Sequence, residues 1–121
     1  MRTPHDIKRV AVLGAGLMGH GIALELAAHR RLVCLHDVSE QLLDKAIAHA
    51  RVGLKALHQA GLISFDEIEA SISRISTSLD LSETVEGTDL VIEAVSENLE
   101  LKLSLFDKVD RIAPAHAVLV S

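Results

Sequence analysis

The sequence predicts an α/β domain built on a doubly wound parallel sheet, and three observations carry that expectation. Apolar runs of strand length alternate with segments of helical period, the pattern of βαβ units whose strands are covered on both faces. A glycine cluster follows the first of these runs and opens the first helical segment. An acid, Asp37, closes the second run. The 121 residues fit one domain, 1–121, with no internal repeat, low-complexity tract or linker to divide them.

The first strand is expected over Arg9 to Leu13, followed by a helix whose Met18, Ile22 and Leu26 recur every fourth residue on one face. The second strand, Leu32 to His36, leads through Asp37 to Ser39, a residue type that caps helix N-termini by accepting a backbone N–H. A long helix with Leu43, Ile47, Ala50, Leu54 and Leu57 on its apolar face should end at Gly61, placed for a left-handed C-terminal turn. Ser64 with Glu67 reads as a capping box, so a second, shorter helix turns back before a third strand near Arg74 to Thr77. A plain strand-to-strand crossover does not need this helical hairpin. Gly87 precedes the fourth strand, Leu90 to Val95; a helix carrying Leu101, Leu105, Phe106, Val109 and Ile112 is stopped near Pro114, and the last strand is Ala117 to Val120.

Composition excludes several classes of function. A net charge of -5 with scattered Lys and Arg argues against a nucleic-acid partner, because phosphate binding needs a basic face. At 49% hydrophobic and 24% charged the chain is neither disordered nor a membrane protein, since no apolar run has bilayer length. Met1 to Val10 lacks the long apolar core of a secretory leader and carries Asp6, which unlike a transit peptide is acidic, so a cytoplasmic location is expected. The single cysteine, Cys34, lies in an apolar run and is expected to be a buried, inert thiol.

Gly14, Gly16 and Gly19 form G-x-G-x-x-G between a strand and a helix, and each has a mechanical task. Gly14 permits the tight turn, Gly16 lets backbone approach a pyrophosphate, and Gly19 lets the helix pack close to the sheet. The free N–H groups and positive dipole end of the helix then face the anion. Asp37, at the end of the second strand, is placed to accept hydrogen bonds from the adenosine ribose. A 2'-phosphate there would meet a like charge, at a cost of about 1 kcal/mol in bulk water and about 4 kcal/mol in a partly screened site. The prediction is a Rossmann-type fold with a helical hairpin between strands two and three, binding NAD in preference to NADP.

A general base for alcohol oxidation is not evident. The chain has no tyrosine, and none of its seven histidines is placed by its strand or helix as a convincing base. His20 lies in the first turn of the phosphate-binding helix, His36 on the adenosine side, His29, His49 and His58 on helices, His5 near the terminus, and His116 before the last strand. No spacing suggests a metal site, and no catalytic residue is assigned.

Three stretches together resemble the NAD domain of the 3-hydroxyacyl-CoA dehydrogenase family: GAGLMGHGIA from Gly14 to Ala23, Asp37 after its strand, and EAVSENLELKLSLF from Glu93 to Phe106, with Glu97, Asn98 and Lys102 its most specific residues. The resemblance implies that the loop Gly14, Ala15, Gly16, Leu17, Met18 and Gly19, together with Asp37, Glu97 and Lys102, binds the cofactor, the last two near its nicotinamide half. It also implies a parent reaction in which an L-3-hydroxyacyl-CoA is oxidised to the 3-oxo thioester with hydride passing to NAD. The helical hairpin matches an extension these enzymes carry beside the acyl-CoA site, with Arg51 and Lys55 as candidates for coenzyme A phosphates. The family continues past its fifth strand to a catalytic histidine paired with a glutamate and to a helical domain that completes the substrate site and the homodimer. A chain ending at Ser121 is therefore expected to bind NAD(H) without turnover. Two rival readings are a non-catalytic NAD(H)-sensing module and a 3-hydroxyisobutyrate-type dehydrogenase domain; Asp37 and the Glu93 to Phe106 stretch speak against the second.

Overall fold

The structure, a computed structural model, describes residues 7–94 and the backbone of a strand at 118–120. Five parallel strands form one sheet in the order β3-β2-β1-β4-β5: β1 Arg9–Leu13, β2 Leu32–His36, β3 Ile75–Ser78, β4 Leu90–Glu93 and β5 Val118–Val120. The helices among the described residues are α1 Leu17–Ala28, α2 Glu40–Gln59, α3 Phe65–Ser73 and α4 Leu81–Val85. Alternation along the strands divides the core. Val10 and Val12 of β1 with Val33 and Leu35 of β2 face α1 and α2, whereas Ala11 and Leu13 face the other way, onto Val85 of α4 and Val91. The sheet is thus wound on both faces, and the expected hairpin, α2 with α3, stands between β2 and β3.

The strands differ from expectation only at their ends. β3 begins and ends one residue later, and β4 stops at Glu93. Val95, Ala117 and the expected helix from Leu101 to Ile112 lie outside the described residues. The helix α4 was not expected; its signal is Asp80, whose carboxylate caps the Glu83 N–H at 3.1 Å.

α1 packs by a different face from the one its large residues suggest. Gly19, Ala23 and Ala27 are buried against the sheet, while Met18 is 68% exposed and Ile22 and Leu26 are only half-buried. The close approach of this helix to β1 selects small side chains for the contact and pushes the large ones to its flanks. A Cβ added at Gly19 would lie 1.7 Å from the Gly14 carbonyl oxygen, so this position has no room for any side chain.

α2 follows its periodicity. Ser39 accepts the Leu42 N–H at 3.3 Å, and Leu43, Ala46, Ala50 and Leu54 form the buried stripe, each fully buried leucine contributing about 2 kcal/mol. Gly61, with φ +78, closes the helix as expected: Gly61 N–H bonds His58 and Leu62 N–H bonds Leu57, the paired bonds of a Schellman turn. α1 ends in the same bond pattern, Arg30 to Ala27 and Arg31 to Leu26, yet with Arg30 rather than glycine in the left-handed conformation, φ +66.

The capping box expected at α3 is not made. Ser64 occupies the N-cap, but its side chain caps nothing, and Glu67 turns instead to Arg74 at 3.6 Å and Arg30 at 4.0 Å. Two cations at the base of α1 and β3 out-compete the N-cap for this carboxylate. Arg51 of α2 pairs with Glu69 of α3 through two hydrogen bonds of 2.9 and 3.1 Å. The hydrogen bond from Arg51 holds the Glu69 carboxyl below its ordinary range. The pair's contribution is therefore present above the unfolded carboxylate range and lost as pH falls through the lowered value. Both groups meet solvent, so that contribution is small.

Two substitutions test this packing by urea denaturation. Gly19→Ala should lower stability by about 3 kcal/mol, the upper end of overpacking costs, because the obstacle is backbone. Arg30→Gly should raise it by about 1 kcal/mol by removing left-handed strain from a side chain that is 79% exposed and holds Glu67 only at 4.0 Å.

Candidate cofactor-binding site

β1 reaches the carboxyl edge of the sheet where the strand order reverses, with β2 on one side and β4 on the other. In open α/β sheets ligands bind in the crevice above the strand ends at such a reversal. Gly14 leaves β1 with φ +107 and donates its N–H to the His36 carbonyl at 2.7 Å. On the other side Ala94 N–H donates to the Leu13 carbonyl at 2.7 Å. Gly16 is the N-cap of α1, and the helix begins with His20 N–H donating to its carbonyl at 3.0 Å.

A glycine cap has no side chain to satisfy the first-turn donors, and no acid stands in that turn. By helix geometry the N–H groups of Leu17, Met18 and Gly19 have no intrahelical acceptor, and the positive end of the helix dipole lies behind them. Leu17 is 86% exposed, so this end of the helix faces open space. A Cβ at Gly16 would meet no atom within 4 Å, which leaves the backbone there accessible to a bulky anion. The loop fits a pyrophosphate.

Asp37 follows β2 beside the loop. Its Oδ2 accepts the Ala15 N–H at 2.9 Å and its Oδ1 the Val38 N–H at 2.6 Å. Each carboxylate oxygen keeps a further lone pair for a ligand hydroxyl. His36, buried beneath, holds the Ser78 carbonyl of β3 through Nδ1 at 3.0 Å. A carbonyl only accepts, so Nδ1 carries the proton and the ring ties β2 to β3.

Between α1 and α2 runs a groove of about 450 Å³ that opens at Ala15 and Gly16. Leu17, Leu42 and Val52 make it apolar, and His20, Lys45 and His49 supply its polar groups, the two imidazoles with ring centroids 5.0 Å apart. His20 Nδ1 is buried there without a hydrogen-bond partner.

The structure brings Asp37 against the loop that runs through Gly14, Ala15, Gly16, Leu17, Met18 and Gly19. Glu97 and Lys102, like Asn98, His5, His116 and Ser121, lie outside the described residues. Arg51, a candidate phosphate ligand, is engaged by Glu69 through two hydrogen bonds, and Lys55 stays exposed. Cys34 is only half-buried. Sequence reasoning missed the His36–Ser78 tie and the meeting of His20 with His49, since neither pair has a linear signature. Among the described residues no group of His, Cys, Asp or Glu forms a metal site, and no helix is long and apolar enough to cross a membrane.

A parallel sheet with its order reversing at β1, a glycine loop feeding a helix N-terminus there, and an acid at the end of β2 define a dinucleotide-binding domain. Residues 9–121 match the model of the family described as 3-hydroxyacyl-CoA dehydrogenase, NAD binding domain, and the chain belongs to that family. It is 40% identical over 120 residues to the mitochondrial hydroxyacyl-coenzyme A dehydrogenase of Rattus norvegicus, covering 95% of this chain and 38% of that one. It is 37% identical over 118 residues to the peroxisomal fatty acid beta-oxidation multifunctional protein MFP2 of Arabidopsis thaliana, covering 98% of this chain and 16% of that one. Among solved structures, 3-hydroxybutyryl-CoA dehydrogenase from Escherichia coli K12 superposes with a TM-score of 0.86 at 34% identity, over 93% of this chain and 24% of that one. The chain thus spans well under half the length of each of these relatives.

The relatives overturn the cytoplasmic expectation, being peroxisomal and mitochondrial proteins. The physical reason is that a compartment address is a short segment read by a receptor and leaves no trace in the composition of a folded domain.

The His36 tie is open to measurement. His36→Phe keeps the volume but leaves the Ser78 carbonyl without its imidazole donor, and should cost about 1 kcal/mol or more in urea denaturation.

Proposed function

We infer that this chain binds NAD(H) through the loop from Gly14 to Gly19 and through Asp37, as a single cofactor domain over 1–121. The whole enzyme it serves oxidises an L-3-hydroxyacyl-CoA to the 3-oxo thioester. Bound NAD supplies the hydride acceptor. The chain's own residues position it: the first turn of α1 meets the pyrophosphate, Gly16 admits it, and the Asp37 carboxylate accepts from the adenosine ribose. Glu97 and Lys102 are assigned to the nicotinamide half on the strength of the resemblance. The groove beside the loop, walled by the α2 side of the helical hairpin, is the surface we assign to the acyl thioester, in an enzyme that works as a homodimer in fatty acid beta-oxidation. Family membership and the names of the relatives support this reaction class.

One contrast carries the reading. Gly19 is demanded by the fold, since a Cβ there would overlap backbone. Gly16 is not, since a Cβ there would touch nothing within 4 Å. A glycine the protein does not need for itself is explained by what must come close to it.

Isothermal titration tests this directly. NADH should bind at least about tenfold tighter than NADPH, a difference of about 1.4 kcal/mol. Gly16→Val should stay within about 1 kcal/mol of the parent in stability while losing NADH binding, because the added side chain occupies space reserved for the ligand. A folded protein that gives no heat with NADH would sink the assignment.

A further inference from the structure

We propose that Asp37, beyond any contact with ribose, is the positioning residue that holds the phosphate-binding loop in its ligand-ready shape before cofactor arrives. The proposal rests on reading this loop as the NAD site. The loop is short and rich in glycine, so its backbone has much freedom to lose and needs tethers to keep one conformation. Among the described residues three hydrogen bonds tether it: Gly14 N–H to the His36 carbonyl at 2.7 Å, His20 N–H to the Gly16 carbonyl at 3.0 Å, and Ala15 N–H to Asp37 Oδ2 at 2.9 Å. The first two run backbone to backbone and survive any substitution that keeps the fold. The third alone depends on a side chain, and it is charge-assisted, which makes it the stronger kind.

The carboxylate is itself anchored. Val38 N–H holds Oδ1 at 2.6 Å, which turns Oδ2 toward the loop. Ala15 is 4% exposed, so water cannot readily replace the acceptor its N–H would lose. Both oxygens keep lone pairs free for ribose hydroxyls, so the tether and the ligand contact coexist. Coenzyme preference and loop geometry therefore reside in one carboxylate. Removing its charge to admit a 2'-phosphate also removes a support of the pyrophosphate site, unless the substitute still offers an oxygen to Ala15.

Comparison of Asp37→Asn with Asp37→Ala separates the two tasks. Both lack the charge that repels a 2'-phosphate, but only asparagine keeps an acceptor for the Ala15 N–H. Amide exchange followed by NMR in the ligand-free protein should show the Ala15 amide exchanging at least about tenfold faster in Asp37→Ala, with Val10 to Leu13 unchanged as the control for an intact sheet. Asparagine should restore most of that protection. By titration, NADPH should bind Asp37→Asn about tenfold tighter than Asp37→Ala. Unaltered Ala15 exchange in Asp37→Ala would overturn the proposal, as would equal NADPH affinities in the two variants. Failure of the cofactor assignment reads differently: the parent protein would be folded and silent toward NADH, while the Ala15 comparison would still decide whether Asp37 holds the loop.

Discussion

The structure depends on one close approach, the passage of α1 over the exit of β1. With no room between the Gly19 position and the Gly14 carbonyl oxygen, the helix lies against the sheet on Ala23 and Ala27 and its N-terminus stays at the strand edge. A bulkier contact would lift the helix and move its first-turn donors away from the crevice between β1 and β4. Placement of the anion site is thus a consequence of backbone packing, which explains why small residues line the sheet side of α1 while Leu17 and Met18 face outward.

The rest of the site is organised around that edge. β1, β2 and β3 are joined across their ends by the Gly14 to His36 and His36 to Ser78 bonds, which link backbone and one buried imidazole beside Asp37. α2 rises from the end of β2 and runs beside α1, leaving the groove in which His20 and His49 meet. The helical hairpin is braced by Arg51 with Glu69, and α3 is held by Arg74 and Arg30 through Glu67. Membership of the 3-hydroxyacyl-CoA dehydrogenase NAD-binding family accounts for the sheet, the loop and the acid together.

What was legible in the sequence followed from local periodicity and from glycines with a task. The buried strands, the α2 stripe of Leu43, Ala50 and Leu54 and the turn at Gly61 all depend on spacing along the chain. The α1 face was misread because Met18, Ile22 and Leu26 look like a core stripe, whereas the closeness of the sheet reserves the contact for Gly19, Ala23 and Ala27. The Ser64 and Glu67 box failed because a carboxylate chooses among all the donors near it in space.

The sequence by itself determined the alternation of strands and helices and the chemical kind of ligand, because these rest on short-range pattern and on residue type. Tertiary structure alone decided which charges are already spent, as with Arg51, which histidines meet, as with His20 and His49, and that Asp37 faces the loop as well as the crevice. Such pairings join residues from separate elements, and only the folded sheet brings them within the few ångströms at which hydrogen bonds act.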